Sequence, residues 1–135
     1  MLNENDIVEK LTEHLKNNGF EIIQSLDTKS KGVDIIADNG KHRYFIEAKG
    51  ETSSKEHTAR YGKAFDSKQI FNHIAKAIFA SMKIISSKPA GSKTKAAIAL
   101  PMTIGHKQEL ETVRISIKQL GLKVFWVEQE KVTEE

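Results

Sequence analysis

The sequence predicts an α/β fold with the element order α-β-β-β-α-β-α-β, and three observations lead there. An amphipathic helical period opens the chain, and two short apolar runs flank Asn39-Gly40 as a hairpin would. After residue 65 a long helical period, a continuous apolar run, a second helical period and a last apolar run follow in turn.

Ile7, Val8, Leu11 and Leu15 recur at helical spacing between about Glu4 and Asn18, and Asn17-Asn18-Gly19 is a stop. Phe20 to Ser25 reads as a short strand, followed by polar turn material from Asp27 to Gly32. Val33 to Asp38 and Arg43 to Lys49 read as two further strands. Gly50 to Ala64 has no apolar period and is rich in Thr, Ser, Lys and Gly, so a mobile loop is expected there. Asp66 or Ser67 starts a long helix carrying Ile70, Phe71, Ile74, Ala77, Ile78, Met82 and Ile85; with apolar residues on more than one face, it is expected to be well buried. Pro89 and Gly91 lie in the segment that ends it, and Lys95 to Pro101 is a buried-strand run. His106 to Leu120 reads as a third helix ended by Gly121, Lys123 to Glu128 as the last strand, and residues 129–135 as a frayed tail.

With 135 residues the chain is expected to form a single domain, 1–135, around one core. The absence of cysteine excludes disulfides and thiolate zinc sites, and no apolar run approaches the length of a membrane span, so the cytoplasm is the expected location. The net charge of +3 says little by itself; its distribution says more. From Lys49 to Lys95 ten Lys and Arg face three acids, a local charge of +7, which marks the middle third as a candidate phosphate-facing surface.

The two hairpin strands carry charge where a core strand should carry none. Strand alternation puts Phe45, Glu47 and Lys49 on one face and Tyr44, Ile46 and Ala48 on the other. A two-residue Asn39-Gly40 turn would pair Asp34 with Phe45, and a four-residue loop from Asn39 to His42 would pair it with Glu47; in either register Asp34 shares the Glu47 face. Two carboxylates in contact on such a sheet raise one another's pKa and are costly to desolvate without a cation. A divalent ion resolves the conflict: Mg²⁺ takes one or two carboxylates, a backbone carbonyl and waters, and Asp34, Glu47 and the Ala48 carbonyl offer that set. Lys49 could then orient an attacking water and stabilise charge developing on a phosphodiester.

Asp34, then Glu47-Ala48-Lys49, after an N-terminal helix and before a helix opening with Gln69, resembles the PD-(D/E)XK nuclease superfamily. Within it the pattern is most similar to Holliday-junction resolvases and Mrr- or RecB-like nuclease domains. The resemblance implies a restriction-endonuclease-like mixed central sheet flanked by helices, Mg²⁺ or Mn²⁺ as cofactor, Asp34 and Glu47 as metal ligands and Lys49 as the catalytic lysine. Val33 stands before Asp34 where relatives have proline. An acid on the first helix often joins the site in such nucleases; of Glu4, Glu9 and Glu13 the mid-helix Glu9 is chosen here.

Gln69 has two readings, an amide aimed at phosphate or nucleophilic water and a plain helix-surface glutamine. The loop leaves directly after Lys49, so Lys55, Arg60, Tyr61 and Lys63, with Lys68 beyond, are candidate phosphate and base contacts; a solvated charged loop is the plainer reading. The five histidines form no i, i+4 pair and no zinc motif; His57 is a candidate base only if the loop folds over the site. Lys88 to Thr94 lacks the frame of a phosphate loop. Trp126 is expected in the core or at an interface.

The expected function is a metal-dependent nuclease hydrolysing phosphodiester bonds in DNA, structure-selective or partner-directed because a small domain has little surface for reading sequence. A homodimer, or membership of a larger complex, is expected beside it. The alternative is a non-catalytic nucleic-acid-binding or accessory module, which would not need the intact set of Asp34, Glu47 and Lys49.

Overall fold

Asn3 starts the first helix, α1 (Glu4–Asn17), by a reciprocal cap in which its side chain accepts the Asp6 N–H and the Asp6 carboxylate accepts the Asn3 N–H, both at 2.9 Å. A helix of 14 residues is marginal alone. Burial of Ile7, Val8, Leu11 and Leu15, each worth about 1.5–3 kcal/mol, holds it on the sheet. The computed structural model describes residues 1–53, 62–88 and 92–135.

Six strands, β1 (Glu21–Ser25), β2 (Ile35–Asp38), β3 (Arg43–Ala48), β4 (Thr94–Pro101), β5 (Lys123–Val127) and β6 (Val132–Glu134), form one sheet in chain order. β1, β2 and β3 pair antiparallel, β3, β4 and β5 pair parallel, and β6 returns antiparallel to β5, so the sheet is mixed. β4 lies inside it with residues 96–101 all buried, as a strand covered on both faces requires. Its Ala97 and Ala99 join the core under α1, and Ala96, Ile98 and Leu100 join the opposite core. That second core is closed by α2 (Ser67–Ser87), α3 (Ile104–Glu111) and α4 (Arg114–Gln119), giving a helix, sheet, helix sandwich. Among the described residues no helix is long and apolar enough to cross a membrane.

Four expectations need correction. The expected third helix is two, because Thr112 turns its hydroxyl back onto the Glu109 carbonyl at 2.7 Å and the backbone there closes three-residue bonds, Thr112 to Glu109 and Val113 to Leu110. The tail is not frayed over its length: Val132 to Glu134 pair with β5, fastened by Lys123 to Glu134 at 2.8 Å and the Trp126 indole N–H to Glu135 at 2.8 Å. The long helix α2 is not well buried; Phe71, Phe79 and Met82 face outward. Asp34 lies just before β2 rather than inside it.

Candidate active site

The β2–β3 connection is the four-residue loop, since Asp38 pairs with Arg43. Asn39 builds it: its side chain accepts the N–H groups of Lys41 and His42, and its own N–H reaches the His42 carbonyl. The register runs on through Ile35 opposite Ile46, so the next step along the chain sets Asp34 opposite Glu47. Glu47 is level with Ile98 of β4, which belongs to the core under α2, so this acidic face is the α2 side of the sheet.

Asp34 ends the regular ladder because its side chain takes over: Oδ2 accepts the Ala48 N–H at 2.8 Å, while its own carbonyl accepts from Leu26. That bond aims the carboxylate along β3 towards Glu47, so the two carboxyls stand side by side. Burial pushes Asp34 above the usual carboxylate range, against the pull of the Ala48 N–H and of the positive Lys49. Glu47 is pushed up to about 7, first by burial and then by the charge of Asp34, with Lys49 opposing. Two carboxyls that burial disfavours as anions therefore stand together, and Lys49 alone does not offset this.

Asp38, at the other end of the same short strand, shows what a satisfied acid looks like. The Gly40 N–H at 2.7 Å, Arg43 at 3.0 Å and Lys93 at 3.2 Å hold it down at about 2. The Asp34 environment is different in kind: a second acid is its neighbour.

Gly50, directly after Lys49, brings α1 to the site. A Cβ there would lie 2.5 Å from the Glu4 nitrogen and 2.6 Å from the Asn3 carbonyl carbon, so the two backbones touch only because the residue is glycine. Leu2 and Glu51 exchange bonds across this crossing, and Asn3 bridges Thr52. In consequence Glu4 is the first-helix acid whose charge reaches Glu47 and raises it further. Glu9 does not come there; it is exposed and lines a groove with Leu26 and Ser30 on the α1–β1 side. The structure thus brings Glu4 rather than the expected Glu9 near Glu47, and the reason is the docking of α1 through Gly50.

Gln69 has a local task. Asp66 caps α2 by accepting the Gln69 N–H at 2.9 Å, and the Gln69 side-chain oxygen accepts the Asp66 N–H at 3.0 Å. One turn further along the helix, His73 was missed in the sequence reading. Its ring packs edge-on against Phe65 at 4.6 Å, its buried Nδ1 has no hydrogen-bond partner among the described residues, and burial with the charges of Lys49 and Lys76 holds its pKa down. A neutral imidazole therefore sits within the field of Lys49. Its spacing of four from Gln69 was the available signal. Lys63 is exposed, its carbonyl held by the Thr52 hydroxyl at 2.6 Å, and Lys68 is exposed in the first turn of α2. Lys55, His57, Arg60 and Tyr61 lie outside the described residues.

No family model matches this chain, and no curated protein does. Solved structures do. An XisH family protein from Nostoc punctiforme superimposes with a TM-score of 0.51 at 17% identity, covering 96% of this chain and 95% of that one. An fdxN element excision controlling factor protein from Anabaena variabilis gives 0.51 at 18%, with coverage of 96% and 95%. SfsA from Pyrococcus furiosus in complex with Ca²⁺ gives 0.41 at 14%, over 97% of this chain and 59% of that one. The likeness is one of fold.

The donor set suits a hard divalent cation. Among the described residues no three His, Cys, Asp or Glu side chains converge, which leaves two carboxylates and the peptide of Ala48. Mg²⁺ typically takes one or two protein carboxylates and keeps its waters, whereas a structural zinc site would need four soft or nitrogen ligands.

Proposed function

We propose that this chain is a PD-(D/E)XK-type nuclease that uses Mg²⁺ or Mn²⁺ to hydrolyse phosphodiester bonds in DNA. The observation that carries the reading is the pair Asp34 and Glu47, opposite each other across β2 and β3, both raised in pKa and flanked by Lys49 on one sheet face. A purely structural acid would be satisfied as Asp38 is.

In this reading Asp34, Glu47 and the Ala48 carbonyl hold the cation. When bound, the cation supplies positive charge at the phosphoryl oxygen and a water of lowered pKa. Holding it would require Glu47 to be ionised, so cation and proton would compete for its oxygens. Lys49 donates hydrogen bonds to the attacking water or to the phosphate oxygen that gains charge as water adds and the P–O bond to the leaving group breaks. Glu4 orients or tunes the Glu47 side of the pair. Lys63 and Lys68, with Lys55, Arg60 and Tyr61, contact flanking phosphates and bases without specifying sequence. A chain of this size reads little sequence, so cleavage is structure-selective or directed by a partner. One neighbour's name, an element excision controlling factor, agrees with this reading.

The test is cleavage of plasmid, single-stranded and branched DNA, and RNA, with Mg²⁺ or Mn²⁺, by wild type, Asp34→Ala and Lys49→Ala purified identically. Metal-dependent products that vanish in both variants support the proposal. No cleavage of any substrate, with no Mn²⁺-dependent rise in melting temperature, would favour a binding module instead.

A further inference from the structure

On α2, Phe71 and Phe79 are 54% and 60% exposed, and Ala75 lies between them, four residues from each. Single exposed apolar residues are ordinary. These are contiguous: Phe71, Phe79 and Met82 line a groove of about 290 Å³ between α2 and α3 together with Ile74, Ile78 and Val113. Helical spacing puts Phe71, Ala75 and Phe79 in one stripe.

We propose that this face joins two copies of the chain, α2 packed antiparallel on α2 about a two-fold axis passing at Ala75. The stripe has the symmetry an isologous contact needs, because Phe-x3-Ala-x3-Phe reads alike in both directions. Antiparallel pairing sets Phe71 of one copy beside Phe79 of the other, and the small Ala75 at the axis lets the helices approach. Each copy offers a ridge and a groove, and a cavity of about 150 Å³ already accepts a benzene ring, so the groove has room for an inserted phenyl group.

Among the described residues that line the groove the charged one is Glu109, whereas α2 carries Lys68, Lys76 and Lys83 and no acid. The antiparallel register sets Lys68 of one copy near Lys83 of the other, so the contact rests on apolar area rather than on charge. Two aromatic side chains of about 150–250 Å² each, more than half exposed, together with Met82 and Val113, present on the order of 400 Å² of apolar surface. A dimer at the small end of the stable range buries about 600 Å² per partner, some 65% of it apolar, which is nearly the same figure. The interface does not depend on the chemistry proposed for Asp34, Glu47 and Lys49.

The experiment is sedimentation velocity of the full chain from about 1 to about 100 µM, a range that brackets a micromolar dimer. Phe71→Asp and Phe79→Asp are compared with Ile23→Asp, which changes an exposed apolar residue on β1. The chain has no cysteine, so Ala75→Cys adds a single thiol at the proposed axis. The expected result is a dimer whose dissociation constant rises roughly thirtyfold or more in each Phe variant and not in Ile23→Asp. Mild oxidation of Ala75→Cys should give a covalent dimer, and adding Phe79→Asp should abolish it. A monomer throughout the range overturns the proposal and assigns the face to a different protein. So does a dimer that survives both Phe variants and leaves Ala75→Cys uncrosslinked. If either Phe variant fails to fold by circular dichroism, the Ala75→Cys result decides alone.

Discussion

The carboxylate of Asp34 accepts the backbone N–H of Ala48 at 2.8 Å, so the acid just before β2 is held by the residue of β3 that carries the proposed third ligand. This bond needs an acceptor, not a charge. Asp34→Asn retains an acceptor while removing the negative charge beside Glu47; Asp34→Ala removes both and leaves a partly buried N–H unpaired. Urea unfolding should find Asp34→Ala less stable than Asp34→Asn by about 1–3 kcal/mol, with both variants inactive.

Glu47 gives the wild type an inverted pH dependence. A carboxyl whose folded pKa is raised from 4.5 to about 7 binds more proton folded than unfolded within that window. Its contribution to stability is thus fully present below the unfolded value and falls as pH rises, the cost being complete above the folded value. Asp34, raised as well, acts in the same direction. In metal-free buffer at pH 8, Glu47→Gln should be more stable than wild type, by about 1–2 kcal/mol after allowance for solvent screening. The gain should disappear at pH 4. Chemical denaturation of the two proteins at both pH values checks it.

A divalent cation should relieve the same conflict. At pH 8, Mn²⁺ at 100 times its dissociation constant should stabilise the wild type by about 2.7 kcal/mol and leave Asp34→Asn and Glu47→Gln almost unmoved. Thermal unfolding with and without chelator measures this directly, without any substrate.

Gly50→Ala should do damage out of proportion to one methyl group. The added Cβ meets backbone, not a flexible side chain, at 2.5 Å, so α1 must shift away from the site. A loss of about 1–3 kcal/mol is expected. The Glu4 charge should leave Glu47 at the same time, lowering the Glu47 pKa as followed by side-chain carboxyl NMR.

His106 titrates in the opposite sense to Glu47. It is buried with its Nδ1 2.6 Å from the Thr103 hydroxyl, and burial, with a smaller effect of the nearby His73 were both rings to protonate, holds its pKa down at about 4. Neutral in the fold, it contributes stability that is present above its unfolded value of 6.5 and is lost as pH falls towards 4. Imidazole NMR should show it unprotonated at pH 5.5.

How far these features could be read from sequence follows from where their causes lie. Ile7, Val8, Leu11 and Leu15 betray α1 because burial on one face imposes a local period. The shared face of Asp34, Glu47 and Lys49 was legible for the same reason: strand alternation holds in either hairpin register, and only the loop length chose between Phe45 and Glu47. Glu4 could not be told from Glu9 by period, since the decision rests on a contact between residues 3–4 and 50. The break at Thr112 has neither Gly nor Pro to announce it. β6 is three residues with one apolar side chain, and its place comes from Lys123 and Trp126, distant in sequence. The breadth of apolar sequence in α2 reads as burial, although part of it faces outward as Phe71 and Phe79.

Lys49→Ala separates cation binding from chemistry, and the measurement to make is its single-turnover cleavage rate in saturating Mn²⁺. The expected rate is at least about 10²-fold below wild type, with the Mn²⁺-dependent rise in melting temperature retained. Cleavage by Lys49→Ala at the wild-type rate would contradict it.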